Sequence, residues 1–352
     1  MKKTLLNILT LFLVLALSAC SFSSQTETPG PGSTPAAAQD MTNKADPAAT
    51  VPAQTEADTA AVTEPASDKT EPAQTTPEAT HLQPEEGWQV ITIQGVEMLW
   101  DGYRVKEPVV DLDIDAMTFA DFGESLFPET YPVTAETYTL CPGEIMETEV
   151  VHIKAEQEGP VIYVVAGVHG DEVAAWYAGR LLRKATLKAG ELYVVAPANA
   201  NGARNRTRYV TGQQDLNRSF PGSESGNEAQ RIANAIYRDI ERVQPYLVFD
   251  LHEAIVYTSG RDFLGSNLIY TILDGIDDLF FDMLFATQDG DLCSNAFSSN
   301  APGPQGSINN TVAKRLGIPV ITVETFRGFD IVRRVHDQLD IVQYALEYVD
   351  MR

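Results

Sequence analysis

The feature that most restricts the fold of this chain is a series of short branched-aliphatic runs, Val161 to Ala166, Glu191 to Ala196, Pro245 to Leu251 and Pro319 to Val323. Continuous apolar runs of that length suit strands buried on both faces. Between them, Glu172 to Ala185 and Glu228 to Val243 place apolar residues at helical spacing, and Thr311 to Leu316 predicts a short helix stopped by Gly317 and Pro319. The alternation predicts α/β layers. In open α/β sheets ligands bind beyond the carboxyl ends of the strands, so the residues that follow each apolar run are the first candidates for chemistry.

Three of these strand ends carry metal-type or acid–base residues. The first is Gly167-Val168-His169-Gly170-Asp171-Glu172, where a strand runs into a glycine-flanked turn. His169 and Glu172 are three apart, a separation at which an imidazole and a carboxylate converge on one cation from a turn or a first helical turn. The second is Asp250-Leu251-His252-Glu253, which brings another imidazole to the same sheet edge. Two histidines and one carboxylate form a catalytic zinc set with a position left open for water. His81, His152 and His336 are the other histidines; none follows a glycine turn at a strand end. The third strand end is Glu324, a carboxylate emerging from the apolar run that ends at Val323. Burial there raises its pKa toward that of a useful general base. Glu253 is the rival base, but adjacent strand residues point to opposite faces, so aiming His252 at the metal turns Glu253 away.

Between these segments lies a cationic, amide-rich stretch: Asn199, Asn201, Arg204, Arg206, Arg208, then Asp215-Leu216-Asn217-Arg218-Ser219-Phe220-Pro221. Guanidinium groups suit a bidentate grip on a carboxylate and stabilisation of a developing oxyanion. Asp215 can accept the second N–H of a metal-bound imidazole and fix its tautomer. Gly-Asp-Ser and Gly-x-Ser-x-Gly nucleophile motifs are absent from the sequence, which disfavours a serine hydrolase.

The amino terminus predicts the compartment. Lys2 and Lys3 precede an apolar run from Leu5 to Leu17, which ends in Leu17-Ser18-Ala19-Cys20. The run is shorter than the roughly 20 residues of a membrane-spanning helix. It has the order of a secretory signal, and the last four residues resemble a bacterial lipobox. The expectation is a signal peptide over 1–19, lipidation of Cys20 and a mature protein anchored to the outer face of the cell membrane. Residues 20–86 are rich in Pro, Thr, Ala and Glu with few large apolar side chains, which predicts a disordered tether. The remaining stretch of about 265 residues, 87–352, is within the range of one domain. A net charge of −24 disfavours nucleic acid and anionic lipid as partners. Apart from Cys20, Cys141 and Cys293 are left either to pair in an oxidising exterior or to remain as thiols.

The ordered set around His169 and Glu172, Asp215-Leu-Asn217-Arg218-Ser-Phe-Pro, Asp250-Leu-His252 and Thr-Val-Glu324-Thr resembles the zinc carboxypeptidase superfamily, closest to its succinylglutamate desuccinylase and aspartoacylase branch. The resemblance covers roughly Val150 to Phe326. It implies a three-layer α/β/α sandwich around a mixed, mostly parallel sheet, with Zn2+ held by His169, Glu172 and His252. It also implies that Glu324 activates the metal-bound water and protonates the leaving amine. Asn217 and Arg218 would bind a substrate carboxylate, and Asp215 would orient His169. Arg208, in a Thr-Arg-Tyr context, matches the oxyanion-stabilising arginine, with Arg204 as the alternative. Tyr257 and Tyr270 are the candidates for the pocket tyrosine of classical carboxypeptidases. The implied activity is hydrolysis of an amide bond beside a carboxylate, in an N-acyl amino acid or a peptide. A lipid-anchored protein that binds carboxylate ligands without turnover is the alternative, favoured if Glu324 faces away from the metal ligands.

Overall fold

The computed structural model describes residues 82–108, 110–257 and 264–352. The predicted signal, Cys20, His81 and nearly all of the predicted tether lie outside the described residues. Contacts begin at once: the Leu82 amide donates to Glu97, and Glu85 forms a bridge with Trp88 and an ion pair with Lys106. The described residues fall within one compact unit, Thr76–Arg352. None of their helices is long and apolar enough to cross a membrane.

A small antiparallel hairpin comes first, β1 (Gln89–Ile93) and β2 (Val96–Trp100). The main sheet is built from β3 (Val133–Leu140), β4 (Thr148–Ala155), β5 (Gln157–Ala166), β6 (Ala189–Val195), β7 (Leu247–Ala254), β8 (Asn267–Tyr270), β9 (Ser298–Asn300) and β10 (Val320–Phe326). Its order is β3-β4-β6-β5-β7-β10-β8-β9. The inner strands β6, β5, β7 and β10 run parallel, β8 and β9 pair in parallel, and the other three pairings are antiparallel. The four apolar runs of the sequence are the four inner strands. The helices are α1 (Val173–Leu182), α2 (Ala200–Asn205), α3 (Glu228–Val243), α4 (Asp277–Asp289), α5 (Ile308–Leu316) and α6 (Ile331–Tyr348).

Alternation along the strands produces three layers. Ile162, Val164 and Ala166 of β5, with Phe249 and Leu251 of β7 and Ile321 and Val323 of β10, join the core beneath α1, α4 and α6. Tyr163, Val165, Val248 and Val320 point the other way, into the core beneath α3 and α5. The expected α/β/α sandwich around a mixed, mostly parallel sheet is the observed architecture. The same alternation decides where the polar residues go. Two steps beyond Val248 come Asp250 and His252, and two steps beyond Val320 come Thr322 and Glu324, all on the α3/α5 face, whereas Glu253 takes the α1/α6 face.

Candidate metal centre and substrate cleft

The turn after β5 is built by two glycines. Gly167 has φ of +74°, a region that disfavours other residues. A Cβ on Gly170 would come within 1.9 Å of the Gly202 carbonyl carbon, so only glycine lets α2 pack against this turn. Trp176 Nε1 donates to the Gly170 carbonyl at 3.2 Å and ties the turn to α1. The turn delivers His169, 3% exposed, and places Glu172 at the N-cap position of α1. Glu172 makes no capping bond there; its carboxylate faces the two imidazoles instead.

Oε1 of Glu172 lies 2.6 Å from Nδ1 of His169, and Oε2 lies 2.8 Å from Nδ1 of His252. The ligand atoms of His169, Glu172 and His252 lie within 4.8 Å of one another. Both rings turn Nε2 toward a carboxylate: His169 to Asp215 Oδ1 at 3.2 Å, and His252 to Asp250 Oδ1 at 3.0 Å. For His169 that is the pattern of a metal-binding imidazole, with Nδ1 presented to the cation and Nε2 fixed by an acceptor; Asp250 Oδ1, though near His252 Nε2, makes no hydrogen bond among the described residues. The donor set and its outer carboxylates therefore fit a zinc ion. Sequence reasoning paired Asp215 with His169 but left Asp250 without a role. Its signal was available, because Asp250 and His252 are two apart in one strand and so share a face.

Burial disfavours charge on Glu172, but the neighbouring histidines outweigh it and hold the carboxylate pKa well below its usual range. Burial likewise opposes protonation of His252 and His169, yet Asp250 and Glu172 raise the first, and Glu172 and Asp215 the second. A cation entering this cluster takes the place of protons.

Glu324 sits opposite His252 in the parallel pairing of β10 with β7 and opposite Asn267 in the antiparallel pairing with β8. It keeps some exposure toward the cleft, while protein encloses its carboxylate on the other sides. Desolvation is the largest influence and, against the opposing charge of His252, lifts its pKa to about 7. Glu253 is 4% exposed and turned away, as strand alternation requires. Its Oε2 accepts from the Ala174 amide in the first turn of α1 at 2.8 Å, and its Oε1 accepts from Arg334 at 2.5 Å. Glu253 thus supplies the cap that Glu172 does not.

A cleft of about 570 Å3 opens beside the cluster, and His169, Glu172, Arg208, Asn217, Arg218 and Glu324 all line it. Arg208 donates through Nη2 to Asp215 at 3.1 Å and approaches Glu172 through Nη1 at 3.5 Å. Asn199 and Asn201 hold its loop by donating to the carbonyls of Arg208 and Val210. Arg204 instead donates to the Ile145 carbonyl, and Arg206 pairs with Asp111 over the Trp176 ring. Asn217 has its amide 3.4 Å from His252 Nε2 and accepts from the Ile308 amide. Arg218 donates to the Asn217 carbonyl at 2.7 Å, and its exposed guanidinium has no carboxylate partner among the described residues.

The other expectations sort by position. His152 pairs with Glu191 and stacks on Tyr193, and His336 pairs with Asp337, both away from the cluster. Cys141 and Cys293 are free. The tyrosine that lines the cleft is Tyr103, not Tyr257, which packs edge-on to Trp100, or Tyr270, which packs edge-on to Phe280. Nothing in the local pattern around Tyr103 marks it; it reaches the cleft because residues 103–105 pair with the extension of β7 past Ala254. Arg327 and Arg334, joined through Glu107, were also missed.

Fold and site together define an α/β/α protein with a two-histidine, one-carboxylate centre at the carboxyl ends of its inner strands. Residues 158–264 match the succinylglutamate desuccinylase/aspartoacylase catalytic domain, the branch that the motifs resemble. The chain is 38% identical to a succinylglutamate desuccinylase of Pseudomonas aeruginosa over 120 residues, 30% of this chain and 35% of that protein. It thus spans about a third of the length of the curated relatives it matches. Among solved structures, it is similar to an aspartoacylase family protein of Mesorhizobium loti, with TM-score 0.48 and 22% identity over 63% of this chain and 68% of that one. A metallo-carboxypeptidase of Burkholderia cenocepacia gives TM-score 0.46 and 12% identity over 66% and 67%. Glu324 lies beyond the matched segment.

Proposed function

We propose that this protein is a zinc-dependent hydrolase of an amide bond adjacent to a carboxylate, anchored by lipid on Cys20 at the outer face of the cell membrane. The observation that carries the catalytic part is the convergence of His169, Glu172 and His252 on the strand face that also bears Glu324. Zinc held by those three residues supplies Lewis-acid chemistry at the mouth of the cleft. Glu324, with a pKa lifted toward neutrality, takes a proton from the attacking water and returns it to the leaving amine. Arg208 lies at the metal cluster and stabilises charge developing on the carbonyl oxygen. Arg218, exposed in the cleft, binds the substrate carboxylate, with Asn217 beside it.

Anchoring rests on the sequence alone: two lysines, an apolar run and Leu17-Ser18-Ala19-Cys20. The test of the hydrolase is to measure zinc content and amide turnover on one preparation, with N-acyl amino acids and peptides as substrates. Turnover that survives complete removal of metal by a chelator would overturn the assignment.

A further inference from the structure

The cleft has two unlike walls, and the difference bears on what it selects. One wall is the loop that carries Arg208, Asn217 and Arg218. The other is apolar: Val256, with Leu264, Ile269 and Pro304, and the Tyr103 ring at the rim. This second wall is held firmly. The Val105 amide donates to the Ile255 carbonyl at 3.2 Å, the Tyr257 amide donates to the Tyr103 carbonyl at 2.9 Å, and Arg104 forms a bridge with Val256. Glu107 fastens the end of this strap by accepting from Arg327 at 2.5 Å and from Arg334 at 3.0 Å.

Among the described residues three guanidinium groups line the cleft, and they are not equally available. Arg208 is engaged by Asp215 and Glu172. Arg327 is only 7% exposed and is held between Glu107 and Asp171, at 2.5 and 2.9 Å. Arg218 alone has no carboxylate partner among the described residues. The cleft also carries Asp171, Glu172 and Glu324. Among the described residues, one substrate carboxylate is therefore matched, by Arg218. A second would be desolvated against the apolar wall or brought near fixed acids, and a buried charge without a partner is costly.

Resting on the amide-hydrolase assignment, we infer that the cleft selects amides with a single carboxylate and an apolar group seated on the Tyr103–Val256–Ile269 wall, and discriminates against amides of diacids. The apolar group is an aliphatic acyl chain or an aliphatic or aromatic side chain. A hydrophobic pocket discriminates by about tenfold or more for each methylene it holds.

The test uses two amides of near-equal length, N-pentanoylleucine and N-succinylglutamate, with the crossed pair N-pentanoylglutamate and N-succinylleucine. Turnover is measured on zinc-loaded protein, and binding is measured by calorimetry on metal-free protein. N-Pentanoylleucine should exceed N-succinylglutamate by at least about tenfold in both kcat/KM and affinity. Tyr103 is 60% exposed, so Tyr103→Ala does not disturb the core; it should weaken N-pentanoylleucine binding several-fold and leave N-succinylglutamate unchanged. Val256→Arg, which places a cation on the apolar wall, should shift preference toward the succinyl compounds. Equal or better binding of N-succinylglutamate by the unsubstituted protein overturns the inference, as does a preference that neither substitution alters. If zinc-loaded protein cleaves none of the four while metal-free binding still favours N-pentanoylleucine, the hydrolase assignment falls and the selectivity stands.

Discussion

Glu324 lies directly across from His252 in the parallel pairing of β10 with β7, so a carboxylate with a pKa of about 7 shares a sheet face with one of the metal-type imidazoles. The pairing is backbone register rather than loop placement. The relation between the Glu324 carboxylate and the His252 imidazole is therefore as rigid as the sheet.

Glu324→Gln should retain zinc and lower kcat by about 10²–10⁴-fold, the range for loss of a general acid–base group. Steady-state kinetics with metal analysis of the same sample checks this. Turnover unchanged from the parent, with metal retained, would mean that another group moves the proton.

In metal-free protein the Glu324 carboxyl should titrate near 7, well above the usual glutamate value of about 4.3. Desolvation favours the neutral acid, so the ionised base is lost as pH falls through the raised pKa. Zinc, like the charge on His252, should move that midpoint down. Carboxyl-carbon NMR on labelled protein reads both values, and an ordinary midpoint without metal would remove burial as the tuning force.

The protein should bind about one zinc ion per chain, because the cluster offers two imidazoles and one carboxylate. His169→Ala and His252→Ala should each abolish stoichiometric binding. Both histidines have raised pKa values here, so protons compete with metal, and affinity should fall as pH is lowered. Calorimetric titration with zinc across a pH series measures this.

Arg218→Ala should raise KM for carboxylate-bearing substrates more than it lowers kcat, since it deletes a contact made already in the ground state. Arg208→Ala should act mainly on kcat, as expected for a group that meets charge formed only in the transition state. Swapped effects in the kinetics would reverse the two roles.

Arg334 is 1% exposed and is the charge partner of buried Glu253. Arg334→Ala leaves that carboxylate unpaired and should cost about 3–5 kcal/mol of folding stability, whereas Glu253→Gln with Arg334→Met should cost less. Urea denaturation followed by circular dichroism distinguishes them. A loss below about 1 kcal/mol for Arg334→Ala would show that the pair carries little of the stability.

The sequence by itself determined the inner strands β5, β6, β7 and β10, because strands buried on both faces need unbroken apolar runs that few other elements share. It also brought forward His169, Glu172, His252 and Glu324, since each stands where such a run gives way to polar chemistry, and strand alternation was enough to turn Glu253 from His252. The four residues reach one place because β5, β7 and β10 are adjacent and parallel, an order that no local pattern encodes. What only tertiary structure decided is the surroundings. β3, β4 and the β1–β2 hairpin lack an unbroken buried run, as each has a face exposed or covered by few neighbours. Choosing Arg208 over Arg204 and Arg206 depended on how one loop folds over the cluster, and placing Tyr103 and Arg327 in the cleft depended on contacts between segments more than 100 residues apart. A strand's burial is written in its own residues; a partner's identity is written in someone else's.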